Sequence, residues 1–222
     1  MKIFVLSECV ATKKYDPTKE PIKSILERHG LQVPSCDIEN EEKYKEALKQ
    51  YVLPAYQMYD GSFKFIKELV TKLRQKGDEV QLLIISARYG LIDENTLIIP
   101  YQCTFKCLNK NEIRKRAKAL QIYEKLIERI RGECFDLSII ILGKNYLLTV
   151  LDKSESKDFF KELKTKELVV FGSKNLEREI HCKEAKLKLI PVVGIGDRNK
   201  KIKEFTDSLI HKQLNLCRNH QK

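Results

Sequence analysis

The sequence of 222 residues contains no tryptophan, two methionines, four histidines, nine glycines and six prolines. Because glycine and proline are scarce and no short repeat runs through the chain, collagen-like and low-complexity proteins are excluded. No apolar run approaches the roughly 20 residues that a membrane-spanning helix needs, so we expect no membrane partner. The opening apolar stretch is only six residues long and leads into Ser7 and Glu8, which is unlike a secretory signal. The sequence therefore predicts a cytoplasmic protein.

The seven cysteines are an odd number and are spread over the whole chain. Without a secretory signal, this pattern predicts a reduced protein whose thiols are mostly free. Cys103 and Cys107 have the spacing that begins a metal site, but no second Cys or His pair follows at zinc spacing. We therefore expect no metal. We also expect no cofactor, because Gly194-x-Gly196 lacks the third glycine of a dinucleotide site and no Gly-x4-Gly-Lys-Ser/Thr occurs.

Negative charge is in deficit: 42 Lys and Arg stand against 31 Asp and Glu, which gives a net charge of +11. Such a balance suits a polyanionic partner. Lysine-rich surfaces are also typical of heat-adapted proteins, and 33% charged residues without tryptophan fit that alternative. Charge alone leaves both interpretations open.

Hydrophobic residues make up 42% of the chain, which is enough for one buried core. Short, continuous apolar runs alternate with amphipathic stretches, which is typical of strands covered on both faces by helices. The pattern predicts an α/β fold with a largely parallel sheet of about five strands flanked by helices. We expect one domain over 1–222, a helical insertion over 31–58 with a helix near 41–52, and a flexible tail over 216–222. The predicted strands are 3–6, 82–85, 137–142, 168–171 and 187–193.

Helix start and stop signals lie between these runs. Pro21 and Gly30 bracket a helix around 22–29, and Ser62 can cap a helix that Gly77 closes. A long helix is predicted over 111–131, where Gly132 stops it. A last helix is expected from about Asn199.

The residues after each predicted strand combine a small residue with a cation. In open α/β sheets, ligands bind at the carboxyl ends of the strands, and small residues let backbone N–H groups approach an anion there. The pattern predicts a phosphate-binding rim, although loops use Gly and Ser anyway and many residues here are basic. The rim candidates are Lys13, Ser86, Arg88, Gly143, Lys144, Gly194, Gly196 and Arg198.

The segment from Ser86 to Tyr101 is the most informative. A buried strand breaks into a polar turn at Ser86, and Arg88, Tyr89 and Tyr101 supply a cation and two hydroxyl-bearing rings. That chemistry suits a base held by stacking and a phosphate held by charge, with Arg88 exposed on the rim of a cleft. The alternative is a rigid structural loop with packed tyrosines.

The octapeptide Ser86-Ala-Arg-Tyr-Gly-Leu-Ile-Asp93, followed by Ile99-Pro-Tyr101, resembles the signature loop of the YaaA-like superfamily. It is closest to the branch with Ser-Ala-Lys-His/Tyr-Gly-Leu-Leu-Asp, while the better-known branch is associated with DNA binding and peroxide stress. Ser7 to Lys14, Pro54 to Gly61, Leu142 to Tyr146 and Val193 to Gly196 resemble further elements in the same order, with Glu8 and Lys144 as departures. The resemblance implies an α/β core, a role near nucleic acid or nucleobases, and Tyr146 as a site residue. A more distant likeness to the core of archaeosine synthase implies an enzyme acting on a modified base in transfer RNA.

Three residues are candidates for catalysis. Cys9 follows the first strand near Lys13 and Lys14, but no histidine is close in sequence, so we favour a small packed thiol over a nucleophile. Asp60 and Asp93 lie beside turn residues, where they suit either a glycosidic-bond reaction or, as we favour, turn formation and capping.

Basic residues also cluster where a long helix is predicted to begin. Cations at a helix N-terminus oppose the macrodipole, so their presence there indicates contact with a polyanion backbone. The alternative is a solvated face balanced by nearby glutamates, but the last helix repeats the pattern. The candidates for backbone contact are Arg114, Lys115, Arg116, Lys118, Lys200 and Lys201.

These observations predict a nucleic-acid-associated protein that binds DNA or RNA phosphates and a base or nucleotide in a strand-exit pocket. The alternative is an enzyme that acts on a nucleoside or modified base, by N-glycosidic cleavage or group transfer.

Overall fold

The computed structural model describes residues 1–152, 154, 156–182 and 185–219, with side chains except those of Cys107 and of 210–219. Its centre is a six-stranded sheet in the order β10-β9-β6-β1-β3-β4, with strands numbered along the chain. All neighbouring pairs are parallel except β3 and β4. The predicted α/β class is therefore confirmed. The strands of this sheet are β1 (Lys2–Glu8), β3 (Glu79–Ser86), β4 (Gly90–Asp93), β6 (Phe135–Ile141), β9 (Thr165–Gly172) and β10 (Lys186–Pro191).

Helices cover the sheet, and two short antiparallel pairs lie beside it. The helices are α1 (Ile22–Arg28), α2 (Glu41–Ala47), α3 (Ala55–Met58), α4 (Lys64–Gln75), α5 (Lys110–Ala119), α6 (Ile122–Ile130), α7 (Lys144–Leu147), α8 (Phe159–Glu162) and α9 (Gly194–Asn219). The short pairs are β2 (Leu53–Pro54) with β5 (Leu97–Ile98), and β7 (Leu151–Asp152) with β8 (Lys157–Asp158).

The core lies where the continuous apolar runs place it. The interior of β1, from Ile3 to Leu6, is fully buried, because β3 and β6 flank the strand and helices cover its faces. Helix α4 buries a stripe at helical spacing and ends before Gly77, whose positive φ of 80° suits glycine. The buried stripe consists of Ile66, Leu69, Val70 and Leu73.

The predicted long helix over 111–131 is wrong, because the chain breaks into α5 and α6 at Gln121. Gln121 has a left-handed φ of 52°, and the two halves pack on different surfaces. Ile113 and Ala117 are the buried residues of α5. Ile122 and Leu126 are buried in α6, at positions that do not continue the helical spacing of the α5 pair. Leu120 approaches Gly90 closely at the break, and a Cβ on Gly90 would lie 3.1 Å from the Leu120 carbonyl oxygen.

Three further boundaries differ from the predictions. Gly90–Asp93 forms the antiparallel edge strand β4 rather than a loop. Ser62 does not cap α4, because a 3₁₀ turn over Gly61–Phe63 precedes that helix. Helix α9 begins at Gly194 rather than near Asn199, so Gly194 and Gly196 belong to its first turn. It continues to Asn219, while 220–222 of the predicted tail lie outside the described residues.

The insertion after β1 forms a second, smaller core with α1. Helix α2 ends at Ala47 and a 3₁₀ turn over Lys49–Tyr51 follows, so the helix predicted near 41–52 is shorter. Within the described residues, no helix is both long and apolar enough to cross a bilayer. The buried members of the second core are Ile22, Ile25, Leu26, Leu48 and Ile99.

Candidate functional site

The strand order places a topological switch point between β1 and β6. After β1 the chain passes to β3 on one side, and it later reaches β6 on the other side. The carboxyl ends of these parallel strands lie at one edge, which we call the carboxyl edge. Ligands of open α/β sheets bind at such an edge, close to the switch point.

At the switch point the anion position is occupied by the protein's own carboxylate. Glu8, the last residue of β1, accepts a hydrogen bond from the Gly143 N–H, and its Oε1 accepts one from Arg198 Nη2 at 2.8 Å. The Arg198 side chain is 9% exposed and the Glu8 side chain 13%. The predicted rim residues Gly143 and Arg198 do meet, but they bind an internal anion.

A small cleft opens beside this ion pair, between β1, β6 and the starts of α4 and α9. We call it the switch-point cleft. Its volume is about 10 Å³, which is room for a single water. Ser7 lines the cleft, and its buried hydroxyl has no hydrogen-bond partner among the described residues. The lining of the cleft includes Ser7, Glu8, Arg198 and Asn199.

Lys13 lies in the turn after β1 and is buried, with 8% of its surface exposed. Its ammonium donates to the Ala11 carbonyl at 3.2 Å and lies 4.0 Å from the centre of the Tyr101 ring. Within the described residues it is in no ion pair. Burial lowers the pKa of Lys13 below its ordinary 10.5, and the nearby Cys9 opposes this shift. The site therefore holds a cation without a carboxylate.

A chain of hydroxyl groups lies beside Lys13. The Tyr101 hydroxyl is 2.8 Å from both the Tyr59 hydroxyl and the Ser86 hydroxyl. Ser86 also accepts hydrogen bonds from the backbone N–H groups of Arg88 and Tyr89, so it holds the turn after β3. Burial raises the pKa of both Tyr59 and Tyr101 well above 10.0, which keeps the two phenols protonated.

Cys9 is also part of this edge, but it is buried rather than accessible. Its thiol lies 3.2 Å from the Tyr146 hydroxyl, and burial raises the pKa of Tyr146. Among the described side chains, no histidine hydrogen-bonds the thiol. The interpretation of Cys9 as a small packed residue fits this arrangement best.

The sequence predicted that Arg88 is exposed on the rim of a cleft. This prediction is wrong, because Arg88 is completely buried. Its guanidinium donates to the carbonyl oxygens of Ser35 and Asp37 and to the Glu41 carboxylate at 2.6 Å. Tyr89 donates to the other oxygen of Glu41 at 2.7 Å. The Arg88 turn therefore fastens the insertion to the sheet. Tyr101 is likewise fully buried, so its ring has no free face for a base.

The basic cluster of α5 divides into two kinds of residue. Arg114 pairs with Asp152, and Arg116 donates to the carbonyl oxygens of Ala87 and Cys36. The two arginines therefore brace the fold. Lys115 and Lys118 are exposed, and their side chains make no hydrogen bond or ion pair within the described part of the chain. On α9, Lys200 pairs with Glu204 at 3.8 Å and Lys201 with Asp197 at 2.9 Å.

Asp93 and Asp60 do not join the cluster around Lys13. Asp93 lies on β4 opposite Leu83, pairs with Arg129, and closes a turn with Thr96. Asp60 is exposed and accepts the Phe63 N–H through its backbone carbonyl at 3.1 Å. Both positions fit the turn-forming interpretation.

Cys36 and Cys103 form a disulfide, so the prediction of mostly free thiols is wrong at these two positions. Their Cα atoms lie 5.0 Å apart, because Arg88 and Arg116 hold the backbone around Cys36 against the sheet. The disulfide also removes Cys103 as a metal ligand. Within the described residues, no group of three His, Cys, Asp or Glu side chains is placed to hold a metal.

Sequence reasoning missed Glu8 and Tyr59 as members of this edge. Glu8 stands directly at the end of the first strand, before Lys13 and Lys14, and that position was the available signal. Tyr59 lies far from Tyr101 in sequence, and the pairing of β2 with β5 brings their segments together.

Comparison with known proteins places the chain in a family. A family model described as a family of unknown function, DUF6884, matches residues 44–175, which is more than half of the chain. The match includes Tyr59, Ser86, Arg88, Tyr101 and Gly143, whereas β1 and α9 lie outside it. No curated protein and no solved structure matches the chain significantly. With that extent of match, the chain belongs to the DUF6884 family.

Proposed function

We propose that the protein binds nucleic acid, with the phosphates held by lysines around the carboxyl edge. One observation carries this proposal. Four exposed lysines directly follow the strand exits or open the next helix, and none is in an ion pair within the described residues. We call them the rim lysines: Lys14, Lys64, Lys144 and Lys174.

One of these positions is electrostatically unfavourable for the fold alone. Lys144 opens the four-residue turn α7, whereas Lys64 is the first residue of the 12-residue helix α4. A cation at a helix N-terminus costs about 0.3–1 kcal/mol when it is exposed. A polyanion would offset that cost, and the net charge of +11 has the matching sign. The resemblance of the Ser86 to Tyr101 segment to the YaaA-like superfamily supports the same function.

The proposal does not use base stacking on Tyr101 or charge recognition by Arg88, because both side chains are buried. Recognition would rest on phosphates, so we expect little sequence preference. A cytoplasmic location and a nucleotide ligand stay predictions.

The test compares two variants with the same loss of charge. The rim variant replaces all four rim lysines by glutamine. The control variant replaces Lys43, Lys49, Lys125 and Lys164, which are also exposed and in no ion pair within the described chain. Binding to labelled DNA duplexes, single-stranded DNA and RNA is measured by fluorescence anisotropy over a range of salt concentrations.

For the wild type, log affinity should fall linearly with log salt concentration. For duplex DNA, the rim variant should lose about 0.9 of this slope for each phosphate contact removed, while the control variant keeps it. A flat wild-type salt dependence, or equal losses in both variants, would contradict the proposal.

Lys13 favours a second candidate, an enzyme acting on a nucleoside or abasic sugar. A buried amine with a lowered pKa is a nucleophile toward carbonyl carbon. Its nitrogen would attack the aldehyde of a ring-opened sugar, and loss of water would form an imine. Cyanoborohydride would reduce that imine to a stable secondary amine, which peptide mass spectrometry locates. An abasic oligonucleotide should label wild type and Lys14→Arg but not Lys13→Arg. Absence of a Lys13 adduct would remove this candidate.

A further inference from the structure

We propose that the switch-point cleft is a phosphate-binding site, and that the Glu8 carboxylate occupies its anion position until a phosphate-bearing ligand displaces it. This inference rests on the proposed function, because it assigns a place for one phosphate of a nucleic acid or nucleotide.

The donors around Glu8 are those that bind phosphate in other proteins. A backbone N–H from Gly143 and the guanidinium of Arg198 converge on one carboxylate. A Cβ at Gly143 would lie 2.9 Å from Glu8 Oε2, so a larger residue there would displace the end of the Glu8 side chain. Arg198 is largely buried, and its cost of desolvation is met by this one carboxylate.

The second observation is the Ser7 hydroxyl. Ser7 is 1% exposed and lines the cleft, and its hydroxyl has no hydrogen-bond partner in the described part of the chain, although the large majority of buried polar side-chain atoms have one. A carboxylate has two oxygens, and Gly143 and Arg198 engage both. A phosphate has additional oxygens, so it can accept from Ser7 while keeping the other two donors.

The size of the cleft requires that Glu8 leaves. About 10 Å³ holds one water, so a phosphate fits only when the carboxylate vacates its own volume. Charge repulsion between phosphate and carboxylate acts in the same direction. Glu8 is therefore an intramolecular competitor that lowers the apparent affinity for phosphate.

The glycine composition allows a site-specific measurement. Nine glycines occur, and Leu142-Gly143 is the sole Leu-Gly pair in the sequence. Protein labelled with ¹³C-carbonyl leucine and ¹⁵N-glycine therefore gives a single carbonyl-filtered amide signal, from Gly143. The probe is inorganic phosphate, titrated against potassium chloride of matched ionic strength.

We expect the Gly143 signal to move saturably with phosphate and not with chloride. Glu8→Gln should bind phosphate about tenfold or more tightly, because the neutral amide no longer competes. Ser7→Ala should weaken phosphate binding about tenfold, since it removes one hydrogen bond to a charged group. Ser138→Ala is the matched control. Like Ser7, Ser138 is buried and its hydroxyl has no hydrogen-bond partner among the described residues, but it lies in the middle of β6, away from the carboxyl edge.

Three outcomes would overturn the inference. The first is a Gly143 signal that moves neither in wild type nor in Glu8→Gln. The second is a Ser7→Ala variant that binds phosphate like the Ser138→Ala control. A signal that moves only in Glu8→Gln would show that phosphate does not displace the carboxylate, which also rejects it. The proposed function is judged separately, because its test depends on the rim lysines and on polynucleotide binding.

Discussion

At the scale of single residues, Arg88 and Lys13 show two ways of burying a cation. Arg88 is surrounded by two carbonyl oxygens and the Glu41 carboxylate, so its charge is compensated. Lys13 has one carbonyl and the face of Tyr101. The first arrangement holds structure together, whereas the second keeps a cation available for chemistry or for an anion. We therefore expect opposite effects when each is replaced.

Arg88→Ala should lower the free energy of unfolding by about 3–5 kcal/mol, because it removes the charge partner of the partly buried Glu41 carboxylate and the donor to two carbonyl groups. Urea denaturation measures this change. Arg178→Ala, on an exposed arginine, should change stability by less than about 0.5 kcal/mol. If the two variants unfold alike, the Arg88 turn does not fasten the insertion.

Lys13→Met should stabilise the protein more near neutral pH than in alkali. The folded pKa of Lys13 lies below 10.5, mainly because the residue is buried. Between the folded and unfolded pKa values the unfolded chain binds the extra proton, so wild-type stability rises with pH across this window. Below the folded pKa the full cost of burying the ammonium remains.

The measurement is urea unfolding of both proteins at about pH 7 and about pH 10. The stability difference between Lys13→Met and wild type should shrink at the higher pH. Lys14→Met, at an exposed neighbour, should show no such trend. A pH-independent stability difference for Lys13→Met would mean that burial does not lower the pKa of the Lys13 amine.

At the scale of elements, the sequence pattern was most informative where burial is continuous. The five parallel strands were predicted because apolar runs such as Ile3–Leu6 are buried on both faces. Strand β4 was missed, since Gly90–Asp93 is too short to show a period. The break at Gln121 was missed because helix propensity continues through it, while the left-handed conformation of Gln121 and the close packing of Leu120 on Gly90 depend on tertiary structure.

Gln121→Gly should raise the free energy of unfolding by about 0.5–1 kcal/mol. Gln121 has a φ of 52°, a conformation that glycine adopts without the steric cost of a side chain. Thermal or urea unfolding checks the change. Lys115→Gly, at an exposed position in the middle of α5, should instead lose about 1 kcal/mol, because glycine disfavours a helix interior. Destabilisation by Gln121→Gly would indicate that the glutamine side chain itself holds the break.

At the scale of the whole molecule, topology explains which site predictions could succeed. Residues at strand exits meet because parallel strands end at one edge, so Gly143 and Arg198 were predictable as neighbours. Their binding to Glu8 was not predictable, because it depends on the conformation of one side chain. The burial of Arg88 depends on the path of the insertion, which no local pattern encodes.

The disulfide joins Cys36 to Cys103, which are 67 residues apart in sequence. It therefore closes a covalent ring that includes β3, β4 and α4. Residues 37–40 are exposed and lie inside this ring. A single protease site inserted between Ile38 and Glu39 should therefore cut the backbone without separating the pieces. The cut protein should migrate as one species in non-reducing electrophoresis and as two after thiol reduction. Separation without a reductant would show that the ring is open. Because the ring is closed, the protein remains one covalent molecule after a backbone break in this exposed loop.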